Sequence, residues 1–207
     1  MRRYFIAATL LAAGVGFSPA HAAGRTLLVL GDSLSAEYGL PRGSGWVALL
    51  EQRLAREKRD VRVVNASISG ETTFGGRSRL ATLLAQHRPT HVIIELGGND
   101  ALRGLALDAT RANLAWMTQQ SKKAGARVLL LGMQMPPNYG ADYARRFAGL
   151  YTQVARSEKA ALVPFFLQGV ADGPDPTRWF QPDRIHPNAE AQPLMLDNVW
   201  PELKKLL

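Results

Sequence analysis

The stretch Thr26-Leu27-Leu28-Val29-Leu30-Gly31-Asp32-Ser33-Leu34-Ser35 decides how the rest of the chain is read. Residues 26–30 are a short, continuous apolar run closed by Gly31-Asp32. A run of that length without polar alternation predicts a strand buried on both faces, as inside a parallel sheet. Four more such runs follow: Val61-Arg62-Val63-Val64-Asn65, His91-Val92-Ile93-Ile94-Glu95-Leu96, Arg127-Val128-Leu129-Leu130-Leu131 and Ala161-Leu162-Val163-Pro164-Phe165.

Helical spacing fills the intervals. Trp46, Val47, Leu49, Leu50 and Leu54 mark a helix over 44–57, and Leu80, Leu83 and Leu84 one over 76–87, ended by Pro89. A third runs over 108–124 with Asp108 as N-cap and Gly125 at its end, and a fourth over 141–159. The tail 188–207 reads as mostly helical, interrupted by Pro193 and Pro201. Strands alternating with helices imply a parallel sheet covered on both faces. The expected fold is α/β: a three-layer α/β/α sandwich on a five-stranded parallel sheet of flavodoxin-like order. No linker, repeat or low-complexity stretch divides it, so residues 23–207 form one domain.

Composition narrows the chemistry. The chain has 207 residues, 46% of them hydrophobic, which excludes wholesale disorder. It has no cysteine, which excludes disulfides, thiolate catalysis, zinc fingers and Fe–S clusters. Residues 1–22 read as a secretory signal peptide: Arg2-Arg3, an apolar run from Tyr4 to Phe17, then Ala20-His21-Ala22 with cleavage after Ala22. The run is short for a membrane span, so no stable membrane insertion is expected after its removal. Arg2-Arg3 also permits a twin-arginine reading, although Sec export fits better without a polar lead-in. Cleavage takes Arg2 and Arg3 and no acid, lowering the formal charge from +8 to +6. A periplasmic or secreted protein follows. The remaining basic residues are scattered along helix faces without interleaved aromatics, so no nucleic-acid partner is expected.

In open α/β sheets, chemistry sits beyond the carboxyl ends of the strands. The segments there are Gly31-Asp32-Ser33-Leu34, Ser67-Ile68-Ser69-Gly70 and Gly97-Gly98-Asn99-Asp100. Ser33 can cap a turn, or act as a nucleophile if a base lies within reach. Of the four histidines, His21 leaves with the signal, while His87 and His91 fall at the wrong end of the sheet. His186, in Asp183-Arg184-Ile185-His186-Pro187, lies in a polar loop before the last helix. Asp183, three residues earlier, can accept the imidazole Nδ1–H, although the same pattern also makes a surface turn. Gly70 can expose a backbone N–H and Asn99 can offer its amide to a developing oxyanion, or each can simply serve a turn. Asp32 and Asp100 read as braces of their turns.

Taken together and in order, Gly31-Asp32-Ser33-Leu34, Gly70, Gly97-Gly98-Asn99-Asp100 and Asp183-x-x-His186 resemble the four blocks of the GDSL/SGNH hydrolase superfamily. Gly39-Leu40-Pro41, Gly45-Trp46, residues 65–73 and Pro136-Pro137-Asn138-Tyr139-Gly140 are similar to its bacterial arylesterase / multifunctional acyl-CoA thioesterase I–lysophospholipase L1 branch. The resemblance covers about 25–201. It implies a serine esterase/thioesterase with Ser33 as nucleophile, His186 as base and Asp183 as its partner. Ser33, Gly70 and Asn99 would form the oxyanion hole. Aryl esters, acyl-CoA and lysophospholipids are the implied small-molecule substrates, with no metal and no cofactor. Leu34, Met135, Pro137, Tyr139 and Ile185 are expected to contact substrate, and the chain is expected to act as a monomer. A carbohydrate O-acetylesterase, a metallophosphoesterase or a non-catalytic flavodoxin-like binding module are the competing readings. The last would leave the coincidence of Ser33, Gly70, Asn99, Asp183 and His186 without a reason.

Overall fold

The computed structural model describes residues 24–135, 137–175 and 177–207, and only the backbone of Pro137. The expected signal peptide and its cleavage after Ala22 lie outside the described residues, and so does any side-chain contact of Pro137.

Five strands build one sheet: β1 (Arg25–Gly31), β2 (Val61–Asn65), β3 (His91–Glu95), β4 (Arg127–Leu131) and β5 (Ala161–Val163). Their order is β2-β1-β3-β4-β5 and every pairing is parallel. This is the flavodoxin-like order. β1 lies between β2 and β3, with Leu28 opposite Val64 on one side and Val92 on the other. Every residue of β1 after Arg25 is buried, which explains its unbroken apolar run. The edge strand β2 is partly exposed along its length.

The helices are α1 (Trp46–Arg56), α2 (Thr73–His87), α3 (Gly98–Leu102), α4 (Leu107–Lys123), α5 (Ala141–Glu158) and α6 (Gln192–Leu206). α1 packs on α6 along one face, while α2, α4 and α5 pack side by side on the other. In α1 the buried stripe is Trp46, Val47, Leu50 and Leu54, the helical spacing its sequence carries. Trp46 meets Phe166 edge to face at 5.4 Å beneath the sheet.

The structure corrects several local expectations. α2 starts earlier than residue 76, because the Thr72 hydroxyl caps the Gly75 N–H and adds a turn. Ala106, not Asp108, is the N-cap of α4; Asp108 sits in the first turn, where a carboxylate suits the helix dipole. β5 stops at Val163, before Pro164, and Gly132 bonds around the proline to the Val163 carbonyl and the Phe166 N–H. Pro193 lies in the first turn of α6, where its missing N–H is no loss, and the helix continues through Pro201. The five-residue α3 was not anticipated.

Candidate active site

The strand order reverses between β1 and β3, the place where open α/β sheets bind ligands. β1 leads into Ser33 and β3 into Asn99, so these residues flank that point. Asp32 shapes the turn after β1. Its carbonyl accepts the N–H groups of Ser35 (3.2 Å) and Ala36 (3.0 Å), and its Oδ1 accepts that of Leu34 (3.0 Å). The turn leaves Ser33 lining a cavity at the mouth of the sheet.

His186 arrives from the other end of the chain. An isolated antiparallel bridge between Phe180 and Pro187 closes its loop. The Gln181 amide donates to the Tyr38 carbonyl (2.8 Å), tying this loop to the segment after Ser33. His186 Nε2 then lies 2.9 Å from Ser33 Oγ, and Nδ1 lies 2.6 Å from Asp183 Oδ2. An ionised carboxylate only accepts, so Nδ1 carries the proton and Nε2 is left to accept from Ser33. Asp183 Oδ1 accepts the backbone N–H groups of Ile185 and His186, each at 3.0 Å. Partial burial pushes the Asp183 pKa up. The hydrogen bonds from the His186 ring and from the His186 and Ile185 backbone outweigh it and hold the group at about 2. His91, by contrast, bonds the Leu206 carbonyl at the opposite end of β3, away from this site.

Asn99 lies in α3, lines the same cavity, and donates its Nδ2–H to Asp32 Oδ2 at 2.9 Å. An amide nitrogen has two hydrogens, so one remains for a ligand. Gly70 sits in the loop after β2, at φ 78°, in a turn closed by the Glu71 N–H to the Ile68 carbonyl. A side chain would strain that conformation. Arg103 Nη2 donates to the Gly70 carbonyl at 2.9 Å, joining the ends of α3 and the β2 loop. Gly70 does not itself line the cavity. Asp100 is a brace between elements: buried, it accepts from the Thr73 N–H (2.8 Å) and the Thr110 hydroxyl (3.3 Å).

The cavity has a volume of about 880 Å³. Of the residues expected to contact substrate, Leu34, Met135, Tyr139 and Ile185 line it. Met133 lines it too, and so do Phe165, Leu167, Ala171 and Phe180, which sequence reasoning missed. Leu167 carried a signal, since it follows β5 at another carboxyl end of a strand. Sequence reasoning also missed Tyr38, whose ring packs on His186. Among the described residues, no group of three or more His, Asp or Glu is placed to hold a metal ion, and no helix is long and apolar enough to cross a membrane.

A profile of the GDSL-like Lipase/Acylhydrolase family matches residues 29–193. The chain is 56% identical over 186 residues to Esterase TesA of Pseudomonas aeruginosa, covering 90% of this chain and 91% of that protein. It is 42% identical over 186 residues to Thioesterase 1/protease 1/lysophospholipase L1 of Escherichia coli K12, covering 90% and 86%. The crystal structure of TesA superposes with a TM-score of 0.85 at 56% identity, covering 88% of this chain and all of that one. The chain is an ester and thioester hydrolase of the serine type and belongs to the GDSL-like lipase/acylhydrolase family.

Proposed function

We propose that Ser33 is the nucleophile of this hydrolase, His186 its general base and Asp183 the partner that orients and charges-balances His186. The observation that carries this is the unbroken chain Ser33 Oγ–His186 Nε2–His186 Nδ1–Asp183 Oδ2 at 2.9 and 2.6 Å. Ser33 Oγ attacks the acyl carbonyl carbon while its proton passes to Nε2. The carbonyl oxygen takes the negative charge between the Ser33 N–H and the Asn99 amide, whose residues line the cavity, and the family resemblance adds the Gly70 N–H as a third donor. His186 returns the proton to the leaving alkoxide or thiolate. Water then attacks the acyl-serine with the same proton relay and frees the acid and the Ser33 hydroxyl.

The cavity supports long-chain acyl groups. At about 880 Å³ it lies near the upper end of ordinary ligand pockets. Phe165, Leu167, Phe180 and the adaptable Met133 and Met135 border it. Aryl esters, acyl-CoA thioesters and lysophospholipids fit that lining better than an acetylated sugar does. The enzyme acts as a monomer after export to the periplasm or medium and removal of residues 1–22. One chain supplies every residue of this scheme.

The test is the mature protein and its Ser33→Ala and Asn99→Ala variants against p-nitrophenyl esters of graded chain length, a long-chain acyl-CoA, a lysophospholipid and an acetylated sugar. Ser33→Ala should lose activity by a factor on the order of 10⁶, and Asn99→Ala about 10²–10³ in kcat. Full activity of either variant refutes its assigned role; preference for the acetylated sugar refutes the substrate class. The N-terminus of the exported protein, read by mass spectrometry, tests cleavage after Ala22.

A further inference from the structure

Glu95 closes β3, a fully buried strand that is apolar from Val92 to Ile94, and its carboxyl group is left in the interior at 1% exposure. Nothing in the mechanism above uses it. It stands beside Gly31 in the sheet register, and that glycine makes room for it: a Cβ at 31 would lie 2.7 Å from Glu95 Oε2 and 2.8 Å from Ser35 Oγ. Oε2 accepts the Ser35 hydroxyl at 2.7 Å and the Asp32 N–H at 3.2 Å. Ser35 Oγ in turn accepts the Trp46 indole N–H at 3.2 Å, which orients its own hydrogen toward Glu95.

Asp32 and Glu95 thus meet through the Asp32 N–H, and burial raises the pKa of both carboxyls, with the Asp32 charge raising Glu95 further. The Asp32 carboxyl has two duties of its own, each met by one oxygen: Oδ1 holds the Leu34 N–H at 3.0 Å and Oδ2 holds the Asn99 amide at 2.9 Å.

We propose that Glu95 is a positioning residue for the oxyanion hole: its buried Oε2 holds the Asp32 N–H and the Ser35 hydroxyl on either side of Ser33, and so fixes the Asp32 carboxyl that aims the Asn99 amide and holds the Ser33 turn. This rests on the oxyanion role of Asn99 proposed above. A rotating Asp32 would release the Asn99 amide, and the free Nδ2–H would lose its direction. Donors contribute to catalysis only when preorganised toward the developing charge, so the loss falls on kcat rather than on substrate binding.

The test compares Glu95→Gln and Glu95→Ala, each alone and combined with Asn99→Ala, in kcat and KM on one p-nitrophenyl ester. Gln preserves an oxygen that accepts from the Ser35 hydroxyl and the Asp32 N–H. Glu95→Gln should keep at least about a third of kcat, whereas Glu95→Ala should lose about 10–100-fold with KM within about twofold. On the Asn99→Ala background, Glu95→Ala should cost less than about threefold, because its effect acts through Asn99. Three outcomes overturn the proposal: a folded Glu95→Gln that loses as much kcat as Asn99→Ala, full additivity of Glu95→Ala with Asn99→Ala, or a loss carried by KM. Circular dichroism identifies unfolding of Glu95→Ala, in which case the Gln variant alone decides. Full activity of Asn99→Ala by itself would instead overturn the oxyanion reading.

Discussion

The Tyr38 ring lies 4.3 Å from the His186 ring, tilted by 35°, and covers the imidazole from the side of the loop after Ser33. Tyr38 is itself 49% exposed, so this ring shields His186 rather than filling the core. Its carbonyl is pinned by Gln181, which belongs to the His186 loop, so the backbone and ring contacts act together. An aromatic pair of this kind contributes about 0.5–1.5 kcal/mol beyond area burial. Tyr38→Ala should lower kcat by roughly two- to tenfold, and Tyr38→Phe by less than about twofold, since the ring makes the contact. Steady-state kinetics on both variants checks this; equal losses would place the role in the hydroxyl instead.

Asp183 combines a low pKa with an orienting role. An unfolded Asp ionises near 3.8, whereas in the fold the group titrates at about 2. The fold therefore holds the ionised form more tightly. This contribution is complete above 3.8 and is lost as pH falls toward about 2. The stability gap between the wild type and Asp183→Asn should be constant from pH 5 to 4 and then shrink toward pH 2. Thermal melts across that range measure it. Asp183→Asn should also cost about 10³–10⁴ in kcat at pH 8, because an amide can present a donor to Nδ1 and favour the wrong tautomer. A variant with full activity would remove Asp183 from the relay.

Much of this site was legible because its residues obey local rules. Ser33, Gly70 and Asn99 each follow a strand, and a parallel sheet brings strand ends together at one edge. Asp183 and His186 are linked by a three-residue spacing that one turn can close. What escaped the sequence depends on contacts between distant segments. Tyr38 matters only because its loop meets the His186 loop. α3 has five residues and begins at Gly98, too short to display a period. Phe165 was read into β5, but Pro164 ends the ladder at Val163 and puts Phe165 beside the cavity. Glu95 did carry a signal, a charge at the end of a buried apolar run, but its partner Asp32 is reached only through the β1–β3 pairing.

Ala171 offers a way to test the acyl cavity without touching the relay. It lines the cavity and is partly exposed, so a larger side chain can extend into open space rather than into packed core. Ala171→Phe should lower kcat/KM for long-chain p-nitrophenyl esters by about tenfold or more. The acetate ester should stay within about twofold, because its acyl group needs no room there. A loss of one or two methylene contacts is worth about 1–3 kcal/mol, which sets this scale. An equal fall on every chain length would show that the substitution disturbs the site itself, and no change on any would place the acyl chain elsewhere.

The burial of the Glu95 carboxyl has a consequence for stability that is separate from catalysis. The ordinary pKa of this group is 4.5, and burial followed by the charge of Asp32 raises it well above that in the fold. Above pH 4.5 the unfolded chain has released the carboxyl proton while the native state retains it. The native state then binds more protons, so the contribution is complete below 4.5 and is lost as pH rises through the raised folded value. Glu95→Gln cannot titrate at this position and keeps the neutral form's hydrogen bonds. Its stability relative to the wild type should therefore climb with pH from 4.5 upward, by as much as about 1.4 kcal/mol per pH unit where Glu95 alone differs. Urea melts of both proteins at pH 4, 5, 6 and 7 give the slope directly. If the two stability curves run parallel over that range, burial does not hold Glu95 in its neutral form.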